Sequence, residues 1–200
     1  MRRDGLPPIQ SSFLSCEQDL ELILNKLFID TGEYSRWLKK LLIINTKDCL
    51  DKTITKYNDI VDEYSLADLV DKQYIRTTPR LELDEHEDVQ SYLLVSFDNF
   101  TTNSVNERFR DCIINFDIIC NTKQWSLDGL RVRPLMIAGY IDGILNFGKL
   151  SGVGETVFLG CNELILDQNL AGYTLSYHVI HFSEDDAKLE ALASKWEKKE

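Results

Sequence analysis

No apolar run in this 200-residue sequence reaches the roughly 18 residues that a membrane-crossing helix needs. Met1-Arg2-Arg3-Asp4-Gly5 leads into Leu6-Pro7-Pro8 and not into the apolar core of a signal peptide. The reading is a protein that neither spans a membrane nor is secreted. CxxC pairs are also missing. The five cysteines, Cys16, Cys49, Cys112, Cys120 and Cys161, are odd in number, widely spaced and set in apolar contexts. Zinc or redox sites built from adjacent thiols are therefore excluded, and reduced thiols in a core are expected. Basic charge is in deficit, with 22 Lys and Arg against 33 Asp and Glu for a net charge of −11. Such a chain repels a phosphate backbone, which argues against nucleic acid as a tightly held partner. No serine sits in a GxSxG elbow, and no cysteine has a histidine or acid at a diagnostic spacing. Internal repeats and low-complexity blocks are absent as well.

Hydrophobic residues make up 44% of the chain, enough for one core with an elaboration. Residues 1–14, with a Pro-Pro pair and no periodicity, read as an arm. Ser15 with Gln18 fits a capping box, and Leu20, Ile23, Leu24, Leu27 and Phe28 then form one helical stripe that ends at Thr31-Gly32. Trp37, Leu38, Leu41 and Leu42 form a second stripe running on from Ser35. A third helical stretch covers about Lys56 to Lys72, through Ile60, Val61, Tyr64 and Leu69. The section 15–78 is thus read as helical.

After Thr77-Thr78-Pro79 the hydrophobic period changes from 3.6 to 2, the signature of entry into sheet. Leu93, Val95 and Phe97 alternate with Leu94 and Ser96. Cys112, Ile114, Phe116, Ile118 and Cys120 share one strand face, while Asp111, Asn115 and Asp117 interrupt the other. Arg133-Pro134 opens a helix whose apolar face is Ile137, Ile141, Ile144 and Leu145, followed by a glycine-rich loop from Gly148 to Gly154. Thr156 to Leu159 and Leu164 to Leu166, separated by Gly160-Cys161-Asn162, read as a hairpin or paired edge strands. Asp167-Gln168-Asn169 is a turn, and Tyr173 to Phe182 a long strand with Tyr173, Leu175, Tyr177 and Val179 on one face. In the last section, 183–200, Ser183 and Asp186 cap a helix with the stripe Leu189, Leu192, Trp196. The fold class is α+β: a small mixed sheet of about four to six strands in a core over 79–182, flanked by helices and preceded by the helical section. Ile114, Phe116, Ile118, Ile137, Ile141 and Leu145 are its expected centre.

Four constellations bear on chemistry. Gly143-Ile144-Leu145-Asn146-Phe147-Gly148-Lys149-Leu150 is one residue short of the phosphate loop GxxxxGK[ST]. Leu150 replaces the hydroxyl that would reach Mg²⁺, and a helix occupies the place of the leading strand, so no phosphate role is assigned to Lys149. Asp84-Glu85-His86-Glu87-Asp88 supplies metal-type donors, but consecutive residues fan outward and no glycine turn folds them in. His178 and His181 lie an odd number of residues apart, on opposite faces of a strand. Gly139 and Gly143, four apart on the Pro134 helix, each cost about 1 kcal/mol relative to alanine and flatten one helix side for close approach of the sheet or a neighbouring subunit. No catalytic, cofactor-binding or metal residue is assigned. Subunit or partner contact falls to Gly139, Gly143, Leu189, Leu192 and Trp196.

The string Phe109-Arg110-Asp111-Cys112-Ile113-Ile114-Asn115-Phe116-Asp117-Ile118 leads through Trp125 to Arg133-Pro134-Leu135-Met136-Ile137-Ala138-Gly139-Tyr140-Ile141-Asp142. Gly152-Val153-Gly154, Phe158-Leu159-Gly160 and Gly172-Tyr173 follow. In order and texture, residues 109–182 resemble the tail-terminator and related neck proteins that join head to tail in tailed bacteriophages. The resemblance implies a non-enzymatic virion protein, made in the host cytoplasm, that forms a ring with itself, usually a hexamer. It also implies contacts with adjacent tail-tube or neck proteins and passage of DNA without specific binding, with no cofactor and no membrane. The rival reading is a small intracellular enzyme or ligand-binding domain with a site built from scattered residues, such as His178, Asp111 and Asp117.

Overall fold

Two periodicities divide the chain, and the computed structural model follows them. It describes residues 12–30, 32–77, 90–104, 110–146, 149–150 and 154–181. α1 (Ser12–Asn25) continues through a π-helical turn at Lys26–Asp30 and is followed by α2 (Glu33–Ile43). Ile23, Leu24, Leu27 and Phe28 of the first stripe are buried, as are Leu38, Leu41 and Leu42 of the second. Because α1 already starts at Ser12, Ser15 lies inside the helix and is not its cap. Residues 1–11 lie outside the described residues. The stretch from Lys56 to Lys72 is two helices, α3 (Lys56–Asp62) and α4 (Leu66–Asp71). The break is local chemistry. The Ser65 side chain accepts from the Asp68 N–H while the Asp68 carboxylate accepts from the Ser65 N–H, a reciprocal capping box that starts a new helix.

Sheet begins earlier than the period change suggests, at β1 (Ile75–Arg76), which pairs in parallel with β2 (Ser91–Thr102). β3 (Arg110–Asn121) follows, then the short hairpin β4 (Ser126–Leu127) and β5 (Arg131–Val132). After α5 (Arg133–Leu145) come a second short pair, β6 (Lys149–Leu150) and β7 (Gly154–Glu155), and two long strands, β8 (Val157–Ile165) and β9 (Leu170–His181). The principal sheet has the order β1-β2-β3-β9-β8, antiparallel except for β1. A mixed sheet with flanking helices and an N-terminal helical part makes the fold α+β.

β3 dictates the inside of the sheet. Cys112, Ile114, Phe116, Ile118 and Cys120 are buried, and Leu175, Tyr177 and Val179 of β9 are buried beside them. Ile137, Ile141 and Leu145 of α5 join these strands and the helical stripes in one hydrophobic cluster, so the helical section and the sheet share a single core. The aromatic centre is Tyr177, which meets Phe116 edge-on at 5.9 Å and Phe158 at 5.6 Å while its hydroxyl donates to Asp142 of α5 at 2.8 Å. Burial, with the Asp142 carboxylate beside it, pushes the Tyr177 phenol well above its ordinary range.

The hairpin expectation fails on tertiary grounds. The region from Thr156 to Leu166 is not a hairpin: Gly160-Cys161-Asn162 stays extended within β8, because β9 offers a partner along its length, and a register shift between Phe158 and Gly160 leaves Leu159 as the extra residue. α5 ends at Leu145 with Asn146 as its C-cap, its N–H bonded to the Asp142 carbonyl, while the Thr156 hydroxyl donates to the Leu145 carbonyl. The helix therefore stops ahead of Gly148, which lies outside the described residues.

Candidate functional site

Helix α5 is set between the core and a surface. Pro134 occupies its first turn, where the missing N–H costs nothing, and the Arg133 N–H donates to the Trp125 carbonyl at 2.8 Å. The Arg133 side chain is 0% exposed. Its guanidinium donates to the carbonyls of Leu41 (2.7 Å), Ile44 (2.9 Å), Thr46 (2.8 Å) and Gln124 (3.0 Å). Those first carbonyls end α2, so a positive charge meets the negative end of its dipole and locks α2 to the start of α5. Periodicity cannot reveal such a role. The signal was a charged residue next to the proline that opens a mostly apolar helix.

The outer side of α5 carries Leu135, Gly139 and Gly143, which recur every four residues and are all exposed. A Cβ at either glycine would meet nothing within 4 Å. The sheet therefore does not need these glycines, and the flattened stripe faces away from the protein's own core. Next to it, the Tyr34 and Tyr140 rings lie 6.1 Å apart at the wall of a cleft of about 950 Å³, also lined by Trp37, Lys47 and Arg131. The β4–β5 hairpin projects from the same wall. Its tip holds Gly129 (φ 76°) and a fully exposed Leu130 (φ 61°), a left-handed conformation that costs a branched side chain energy. Leu189, Leu192 and Trp196, the other residues expected to make contacts, lie outside the described residues.

The scattered residues of the enzyme reading share the opposite face of the sheet but do not converge. His178 Nε2 lies 3.7 Å from Asp111 Oδ1, and Asp111 also accepts from Asn103 Nδ2 at 2.8 Å. Asp117 is six residues further along β3, about 20 Å at strand rise, and accepts from the Thr174 hydroxyl at 2.5 Å. Between them the Ser176 hydroxyl donates to Asn115 at 2.7 Å. This is a ladder of local cross-strand bonds and not a catalytic group. His181 lies opposite Arg110 in the register.

The cations of a second cleft, about 680 Å³ beside the start of α2, are likewise engaged. Arg36 donates to the Asp62 carboxylate through Nε (2.9 Å) and Nη2 (2.8 Å), and Lys39 donates to the Tyr64 carbonyl at 2.9 Å. Lys40 and Lys52 each lie 5.2 Å from the Trp37 ring. Burial lowers the pKa of both Lys39 and Lys40 from the ordinary lysine value. Among the described residues, no three or more His, Cys, Asp or Glu groups gather to hold a metal. Residues 84–88 lie outside them. Around Lys149 the backbone order is helix, then a two-residue strand paired with Gly154–Glu155, the reverse of the strand, loop and helix that cradle phosphate.

The family model of YomW matches residues 35–179, from the first turn of α2 to two residues short of the end of β9. The chain belongs to the YomW family. The matched segment takes in the Arg133 lock, the principal sheet up to Val179 and the open stripe of α5, while Glu33 and Tyr34 at the cleft walls lie just before it. No curated protein and no solved structure matches the chain. Among the described residues, no helix is long and apolar enough to cross a membrane.

Proposed function

We propose that this YomW-family chain is a non-enzymatic structural subunit of a phage particle, a tail-terminator-like protein that assembles into a ring at the neck or tail end. The observation that carries the reading is the family itself, since YomW is a phage-type protein name. The open stripe Leu135, Gly139 and Gly143 supports it, because a helix that keeps two glycines away from its own core has room for a neighbour's backbone. The ring has six copies, following the tail-terminator resemblance of residues 109–182, and it grows by a head-to-tail contact that closes when the rotation fits. Its partners are further copies, the adjacent tube or neck proteins, and DNA that passes the acidic surface without being held. The protein is made in the host cytoplasm and ends in the virion.

The test is negative-stain microscopy of the purified protein, alone and mixed with its tube protein, on the parent and on a variant carrying Gly139→Gln and Gly143→Gln. Rings in the parent and none in the folded double variant are expected. Monomers throughout, with a small molecule bound in the Tyr34 and Tyr140 cleft, would remove the structural reading in favour of a ligand-binding one.

A further inference from the structure

The two edges of the principal sheet are treated differently. On one side β1 covers only Leu93 and Leu94, and beyond it β2 carries Asp98, a positive φ of 53° at Asn99 and a register irregularity between Asp98 and Thr101. Charge and irregularity are the usual means by which an edge refuses further strands. At the other side stands β8, nine residues long, with β9 as its only neighbour among the described residues. It contains no lysine and no proline, its one charge is Glu163, and its own register shift lies near its start, between Phe158 and Gly160, leaving Gly160 to Ile165 in unbroken register. Val157 (49% exposed), Leu159 (52%) and Ile165 (75%) lie open to solvent, together with Phe158 and Leu166. A long, apolar edge whose outward N–H and C=O groups meet no other strand among the described residues is a template for another strand.

The pattern along β8 states which strand. Apolar residues occupy both ends, 157–159 and 165–166, while Gly160-Cys161-Asn162-Glu163 form a polar centre. We propose that β8 pairs antiparallel with β8 of a second copy, across a two-fold axis at Cys161 or Asn162, joining two sheets into one. Antiparallel pairing lays the apolar end of each strand on the opposite end of its partner and keeps the two Glu163 carboxylates from facing each other. A two-fold contact closes on itself and cannot build a ring, so this pairing does not rest on the ring reading and uses a different surface from α5.

Cys161 provides the probe. It is the exposed thiol among the described free cysteines, whereas Cys49, Cys112 and Cys120 are buried. Two-fold pairing places the two Cys161 residues opposite each other or one diagonal step apart, about 7–8 Å. In a Cys16→Ser background, a short bis-maleimide should give a covalent dimer that disappears with Cys161→Ser. Sedimentation equilibrium should show a concentration-dependent dimer, weakened at least tenfold by Leu159→Lys with Ile165→Lys. Both positions are exposed, so the circular dichroism of that variant should match the parent. Monomers at every concentration, or a dimer that neither crosslinks through Cys161 nor responds to the lysines, would overturn the pairing. Loss of rings on Gly139→Gln with Gly143→Gln leaves it intact, so the failure of one reading is separable from failure of the other.

Discussion

Single residues decide how the two halves of the core are joined. Arg133 spends its guanidinium on carbonyls from α2, the loop after it and the turn before β4. Truncation leaves buried acceptors without donors, each costing about 1–3 kcal/mol. Arg133→Ala should therefore lower the unfolding free energy in urea by at least about 3 kcal/mol. Arg133→Lys should recover little, because a point charge cannot reach the four carbonyls that a planar fork serves. Gly172 is required for a different reason. A Cβ there would overlap the Ile118 carbonyl of the neighbouring strand, with Ile119 behind it. Gly172→Ala should cost about 3 kcal/mol or more, or leave the protein insoluble. Gly139→Ala, whose Cβ meets open space, should instead gain about 0.5–1 kcal/mol in the isolated subunit. Thermal unfolding of the two alanine variants side by side separates a glycine needed for packing from one kept for another purpose.

At the level of elements, the core depends on one strand and one helix. Phe116 is 0% exposed, between α5 and the Tyr177 ring. Phe116→Ala should cost about 3–5 kcal/mol, read as a shifted urea midpoint with the slope unchanged. The same strand carries Cys120, whose thiol burial pushes up from 9.0 to about 11. A folded-state value above the unfolded one means that this stability is fully present below pH 9 and is lost as pH rises towards 11. Urea midpoints should fall between pH 9 and 11, by on the order of 2 kcal/mol for this thiol, and Cys120→Ala should flatten the fall. Lys39 and Lys40, with lowered values, act in the opposite sense over the range just below the ordinary lysine value. These elements were legible because period-2 and period-3.6 patterns are local. The break at Ser65, the β4–β5 hairpin and the unbroken β8 were not: the first depends on side-chain caps, the others on partners distant in the chain.

For the whole molecule, charge and layering matter more than any one group. The net charge of −11 predicts no retention of double-stranded DNA in a mobility-shift assay at physiological salt. A shifted band that vanishes as salt rises would instead expose a basic surface at work. The helices cover one side of the sheet, and Tyr92, Ile119 and Leu170 form a second small cluster on the other, with Leu164 against them. Between that cluster and the His178–Asp111 pair runs a polar ladder.

Local pattern alone determined the α+β class, the strand through Cys112 to Cys120, the helix opening at Arg133-Pro134 and the buried faces of both, because alternation and helical spacing are set by each residue's immediate geometry. It also placed Gly139 and Gly143 on one helix side. Only tertiary structure decided that this side faces outward, that His178 meets Asp111 but lies far from Asp117, and that Arg133 is the lock between α2 and α5. Each of those facts depends on which distant segments the core brings together, and the energy that brings them together is spread over every buried side chain.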